Sequence, residues 1–218
     1  VFRATGKDYV AVPFIVEDLT GTMHALAHIW TSGSTNTKIK YFRKAPGGEY
    51  NKLGWSLIEG NKKWRDTSMF VDRNGGVHGV YKSGSDPGKY NYCPSGGTYI
   101  DKPIEDIPIP AGNSCVSFGD LFVTPNGDVH HVFIAYKSEN MYYSKRSYAT
   151  GKWSTPLMVS EKKVETCHHK NYENPWPSIA VNPEGVIYMT WADMPCPDKV
   201  ANRLHLAVLE DGKLTNQI

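Results

Sequence analysis

The sequence predicts an all-β fold, a small β-propeller of four blades with four antiparallel strands in each. Three observations carry that expectation. A Gly followed three residues later by His or Tyr recurs four times, at Gly21/His24, Gly75/His78, Gly127/His130 and Gly185/Tyr188. The Gly spacings of 54, 52 and 58 lie close to a quarter of the 218-residue length. Finally, 20 Gly, 14 Pro and 13 Tyr are what many short strands joined by tight turns require, and no window of eleven residues keeps the i, i+3, i+4, i+7 stripe of a helix.

Each unit reads strand by strand. An apolar first strand ends in a polar turn at Phe14–Asp18, Ser68–Asp72, Asp120–Thr124 and Ser178–Asn182. Asp or Asn with Pro or Gly after a β-rich run is hairpin-turn chemistry. A second strand then runs from each Gly to an aromatic, Trp30, Tyr81, Tyr136 or Trp191. Third strands follow at Lys38–Phe42, Lys89–Tyr92, Asn140–Tyr143 and Arg203–Leu206, and fourth strands at Gly54–Ile58, Thr98–Ile100, Trp153–Leu157 and Lys213–Asn216. The units run over about 9–64, 65–115, 116–173 and 174–218 in a single domain. A sheet whose two faces cannot both be buried alone must stack on its neighbours, which is the logic of propeller blades. The distance from Gly to aromatic is 9 residues in units 1 and 3 but 6 in units 2 and 4, so the aromatic changes face unless a bulge intervenes.

Charge excludes some partners. The 24 Lys+Arg against 22 Asp+Glu give a net +2, and no block of five like charges appears, so the electrostatic footprint of a nucleic-acid binder is missing. No run approaches 18 apolar residues, so no membrane-spanning helix is expected. Cys93, Cys115, Cys167 and Cys196 contain no C-x-x-C, which leaves disulfides or buried free thiols; the shortest loops pair Cys93 with Cys115 and Cys167 with Cys196. With those bridges, and a start at Val1-Phe2-Arg3, the chain reads as a mature secreted product or an excised domain.

Tyr143-Ser144, then Gly151-Lys152-Trp153-Ser154-Thr155-Pro156-Leu157, then Pro177–Gly185 and Tyr188–Trp191 resemble the repeat of sialidase-like propellers, also called neuraminidase or Asp-box repeats. Ser147–Trp153 is a degenerate Asp-box, without the Asp two residues after Ser. The resemblance implies a propeller that handles glycans, since the superfamily includes sialidases, polysaccharide lyases and lectins. Sialidases themselves need three clamping arginines and an Arg-Ile-Pro segment. This chain has six Arg in all and offers only Pro13, in Val12-Pro13-Phe14, so sialidase activity is not expected.

In such a propeller, the loops after second strands and those leading into the next blade share one face. That face would collect Trp30, Arg65, Tyr81, Lys82, Tyr136, Lys137, Trp191 and Asp193, with His168, His169, Tyr172, Glu173 and Trp176 from the loop before unit 4. Sugars present apolar C–H faces and hydroxyl edges, so aromatic platforms beside fixed donors and acceptors suit them. The expected function is glycan binding by a secreted, lectin-like propeller. The alternative is a glycan-degrading enzyme, foremost a polysaccharide lyase, with His130 or His168 and Tyr143 or Tyr172 as base and acid and Arg146 or Arg65 facing the uronate. Glu173 and Asp193 are candidate hydrolytic carboxylates, and a hemopexin-like interaction scaffold is a third reading. The repeated His24, His78 and His130 read as structural, bonded to a neighbouring turn, whereas His168-His169 lacks a zincin partner. No cofactor or protein-held metal is expected, a cation in the central channel aside, and an oligomer is compatible with the sequence.

Overall fold

Strand-forming segments alternate with Gly-containing turns throughout the computed structural model, which describes residues 8–31, 37–48, 50–51, 64–83, 87–95, 105–113, 116–135, 137–164, 177–193 and 203–217. Four antiparallel sheets result, each ordered as the chain runs. Sheet 1 holds β1 (Asp8–Glu17), β2 (Met23–Thr31), β3 (Thr37–Lys44) and β4 (Tyr50–Asn51). Sheet 2 holds β5 (Trp64–Val71), β6 (Val77–Ser83), β7 (Lys89–Cys93) and β8 (Glu105–Asp106). Sheet 3 holds β9 (Val116–Val123), β10 (Val129–Ala135), β11 (Met141–Arg146) and β12 (Leu157–Met158). Sheet 4 holds β13 (Ser178–Val181), β14 (Ile187–Asp193), β15 (Arg203–Glu210) and β16 (Lys213–Gln217). The chain is thus all-β, four four-stranded antiparallel blades of a small propeller. The fourth strands expected at Gly54–Ile58 and Thr98–Ile100 fall outside the described residues.

The repeated Gly is a turn device. In each first hairpin the Gly N–H donates to the carbonyl three residues earlier: Gly21 to Asp18, Gly75 to Asp72, Gly127 to Thr124 and Gly185 to Asn182. Each of these glycines has φ between 76° and 88°, left-handed backbone that a side chain disfavours. This is the type I turn closed by a left-handed Gly, whose twist matches the strands it joins. A two-residue Asp211-Gly212 turn joins β15 to β16, both residues at positive φ.

The histidines lock these turns to the sheet. In sheet 2 the Asp72 carboxylate accepts from Asn74 and Gly76 N–H, both at 2.8 Å, while its other oxygen meets His78 Nε2 at 3.1 Å. A carboxylate only accepts, so Nε2 carries the proton and Nδ1 accepts from the Tyr90 hydroxyl, 2.8 Å away on β7. Asp18 repeats this in sheet 1, holding Thr20 and Thr22 N–H and His24 Nε2 at 3.1 Å. In sheet 3 Thr124 stands where Asp stood, and His130 keeps only the strand-to-strand bond, Nδ1 to Tyr143 Oη at 2.8 Å. Burial alone would raise the Asp72 and Asp18 pKa values, but these hydrogen bonds outweigh it and hold both carboxyls below the ordinary range, Asp18 at about 2. Asp72→Ala removes three acceptor contacts at once and is expected to cost about 2–3 kcal/mol, read as a lower urea midpoint; an unchanged midpoint would contradict the turn lock.

Two compact units emerge, Val1–Asp106 with sheets 1 and 2 and Ile107–Ile218 with sheets 3 and 4. In the second unit the core lies between its two sheets. Val132, Ile134, Met141 and Tyr143 from sheet 3 meet Ile179, Ile187, Met189, Trp191, Ala207 and Leu209 from sheet 4. In the first unit Met69, Val71, Val77, Val80, Tyr81 and Tyr90 are buried. First strands pack side by side in each unit, β1 beside β5 and β9 beside β13.

Of the two states the cysteine spacing leaves open, Cys93 shows the buried free thiol, at the end of β7 with its Sγ 3.6 Å from the Pro94 carbonyl. Strand alternation turns this side chain inward, and burial pushes its pKa up despite the opposing charge of Arg43. Cys115, Cys167 and Cys196 lie outside the described residues.

Candidate functional site

Three of the four first strands carry a bulge, midway along β1 and in the half away from the Gly turn in β5 and β9. Val12 and Pro13 together oppose Ala27, Asp66 and Thr67 oppose Tyr81, and Phe118 is the extra residue of β9. Pro lacks the N–H a ladder needs, so a bulge is where a strand tolerates Pro13. Bulges re-aim side chains and gather beside active sites.

In the first unit, the bulged end concentrates charge. Arg65 pairs in register with Lys82, next to Asp66. One strand further, Lys89 donates to the Asp106 carboxylate, and Lys89 is the register partner of Tyr81. Tyr81 is 2% exposed; burial foremost, then the Asp106 charge, pushes its hydroxyl pKa up, so it stays protonated.

In the second unit, Asp120 lies two residues past the bulged Phe118 of β9 and is half-buried. Its Oδ1 accepts from Leu121 N–H at 2.9 Å, and its Oδ2 accepts from Ser178 Oγ and Ile179 N–H on β13, both at 3.2 Å. Three donors from two strands fix the plane of this carboxylate. Asp193 lies at the same end of sheet 4, in register with Arg203.

Several expected ligand contacts are core residues instead. Trp191 is 4% exposed and stacks on His205 with ring centroids 5.2 Å apart, so like Tyr81 it offers no ring face to a sugar. His130 and Tyr143 are buried and bonded to each other, and Arg146 lies at the Gly-turn end of sheet 3, bridged to Trp153. Burial, then the Lys145 charge, pulls the His130 pKa down to about 4 against the opposing pull of Asp128, and burial pushes Tyr143 up. A lyase pair of His130 and Tyr143 is therefore shut away from any uronate. Lys137 is exposed. Trp30, Arg65, Lys82 and Asp193 are placed by their backbone alone, and Tyr136, His168, His169, Tyr172, Glu173 and Trp176 lie outside the described residues. Among the described residues, no group of three or more His, Cys, Asp or Glu could hold a metal ion, and no helix is long and apolar enough to cross a membrane. Asp120 was not singled out by the sequence reasoning; its signal was an acidic residue in an otherwise apolar first strand, right after Gly119.

No protein-family model and no curated protein matches the chain. Solved structures do. A protein of unknown function from Dyadobacter fermentans matches with a TM-score of 0.68 at 13% identity, over 96% of this chain and 68% of its own. A thermostable family-43 glycoside hydrolase matches at 0.61 and 13% identity, over 95% and 74%. An endo-arabinase from Bacteroides thetaiotaomicron matches at 0.58 and 14% identity, over 94% and 78%. Identities this low speak to fold alone: the chain is a small all-β propeller, similar in fold to these solved structures.

Proposed function

We propose that the chain is the propeller of a secreted glycan-degrading enzyme, a glycoside hydrolase, that works at the bulged stretches of its first strands. The observation that carries this reading is Asp120, an acidic side chain two residues past a bulge, locked by donors from two strands. Hydrolysis of a glycosidic bond passes through an oxocarbenium-like transition state flanked by carboxylates. A carboxylate whose orientation is already fixed loses no freedom in facing that positive charge. Asp193, at the same end of the neighbouring sheet, is the candidate second carboxylate. The fold's neighbours, named as a family-43 glycoside hydrolase, exo-β-1,3-galactanases, an endo-arabinase and an endo-1,4-β-xylanase, support hydrolysis over binding alone. The burial of His130 and Tyr143 argues against β-elimination by that pair.

The test is hydrolysis of arabinan, β-1,3-galactan and xylan, the polymers for which enzymes of this fold are named. Release of reducing ends without unsaturated product is expected, and Asp120→Asn is expected to lower the rate by about 10²–10⁴-fold. Full activity in Asp120→Asn would remove Asp120 from the reaction, and binding of all three polymers without cleavage would return the chain to the lectins.

A further inference from the structure

The Gly-turn end of sheet 3, opposite the bulge, carries a feature the proposed reaction does not use. Tyr148 is 71% exposed, an unusual position for a ring. It is also held in place. Its backbone N–H donates to Asp128 Oδ1 at 2.8 Å, and the other oxygen of that buried carboxylate takes Lys145 Nζ at 2.7 Å and Asn126 Nδ2 at 3.2 Å. The ring rests on Gly127, where a Cβ would come within 2.8 Å of Cδ2 and 2.9 Å of Cγ. The turn glycine therefore does two things: it supplies left-handed backbone and leaves room for the ring. The loop under Tyr148 is braced as well, Ser147 N–H donating to the Lys152 carbonyl at 3.0 Å and Gly151 N–H to the Ser147 carbonyl at 2.9 Å.

From this arrangement we infer that Tyr148, flanked by Asn126 and Lys145, is an auxiliary carbohydrate-binding site that stacks a sugar ring of a polymeric glycan at the end of the blade away from the reaction. A pyranose or furanose lays its C–H face on the aromatic ring, and its hydroxyls reach the amide and ammonium beside it. Because the ring is already anchored, little conformational freedom is lost on binding. The degenerate Asp-box thereby gains a role, since Ser147–Trp153 is the loop that presents the ring. A weak site of this kind raises the local concentration of polymer near the reactive end. The inference rests on the reading of the ligand as a glycan but not on any catalytic residue.

Affinity electrophoresis of the full chain through gels containing arabinan, β-1,3-galactan or xylan tests it. The unmodified chain is expected to be retarded by at least one polymer, and Tyr148→Ala to weaken that binding about ten-fold. Tyr148→Leu, which keeps an apolar cover on Gly127 but removes the ring, is expected to lose binding equally, while Tyr148→Trp keeps it. Retardation of Tyr148→Ala or Tyr148→Leu equal to that of the unmodified chain, or no retardation by any polymer, overturns the inference. The reaction is judged separately: if Asp120→Asn cleaves as well as the unmodified chain while Tyr148→Ala loses retardation, the auxiliary site stands and the hydrolytic assignment falls.

Discussion

Gly119→Ala is expected to destabilise the second unit by about 3 kcal/mol, near the upper end of what one added methyl in a packed core costs. Gly119 pairs with Phe133 across the β9–β10 ladder. A Cβ at this position would lie 2.5 Å from His131 Nε2 and 2.9 Å from the Val132 carbonyl oxygen. Neither neighbour can retreat. The carbonyl belongs to the ladder, and the His131 ring stacks on Phe133 at 4.9 Å and meets the edge of Trp153 at 6.2 Å. Urea unfolding measures the effect, and a double-mutant cycle with His131→Ala assigns it, because removing the ring should relieve much of the clash. Equal midpoints for Gly119→Ala and the unmodified chain would show that the strand can shift to accept the methyl.

Acid is the second large lever. Burial pulls the His131 pKa from 6.5 down to about 3, and burial with the Lys145 charge pulls His130 down to about 4. His131 Nδ1 has no hydrogen-bond partner, so nothing compensates a proton placed there. Both rings are neutral in the folded chain and basic once unfolded. Their contribution to stability is thus complete above about pH 6.5 and declines as pH falls, until about 4 for His130 and about 3 for His131. Each proton taken up on unfolding gives a slope of about 1.4 kcal/mol per pH unit, so between pH 6 and 4 the two together approach twice that. Below about pH 4 the carboxylates with lowered pKa values, Asp18, Asp72 and Asp128, add to the loss. His131→Phe is expected to lower the slope of urea midpoint against pH between 6 and 4 by roughly half. Matching slopes would mean that His131 takes up no proton on unfolding in this range.

The sheets were readable because a meander is written locally. The left-handed Gly, the apolar strand before it and the polar turn between them lie within a dozen residues, and they identify the hairpins of all four blades. The fourth strands were harder, since β4, β8 and β12 are each two residues long, too short for alternation to show. Asp18 and Asp72 each stand six residues before their histidine, a spacing that names the hydrogen-bond partner and went unread. Asp120 was hidden for a different reason. It stands seven residues before its turn glycine, where the other units carry Phe14, Ser68 and Ser178, so the repeat marks no acidic position there. Trp191 and Tyr81 stand three residues beyond the position of His78 or its equivalent, so the odd interval turns them to the other side of the strand, where the core receives them.

The sequential order of the strands also governs how the chain reaches this state. Among the described residues, every ladder joins strands that follow one another along the chain within one sheet, so no ladder must wait for a distant segment to arrive. Closing each hairpin restricts only a short stretch of chain, and the entropy of closure grows with the length closed. A β protein of this size would ordinarily be slow to fold because its contacts are non-local. Here each blade can zip from its Gly turn as soon as its residues have left the ribosome.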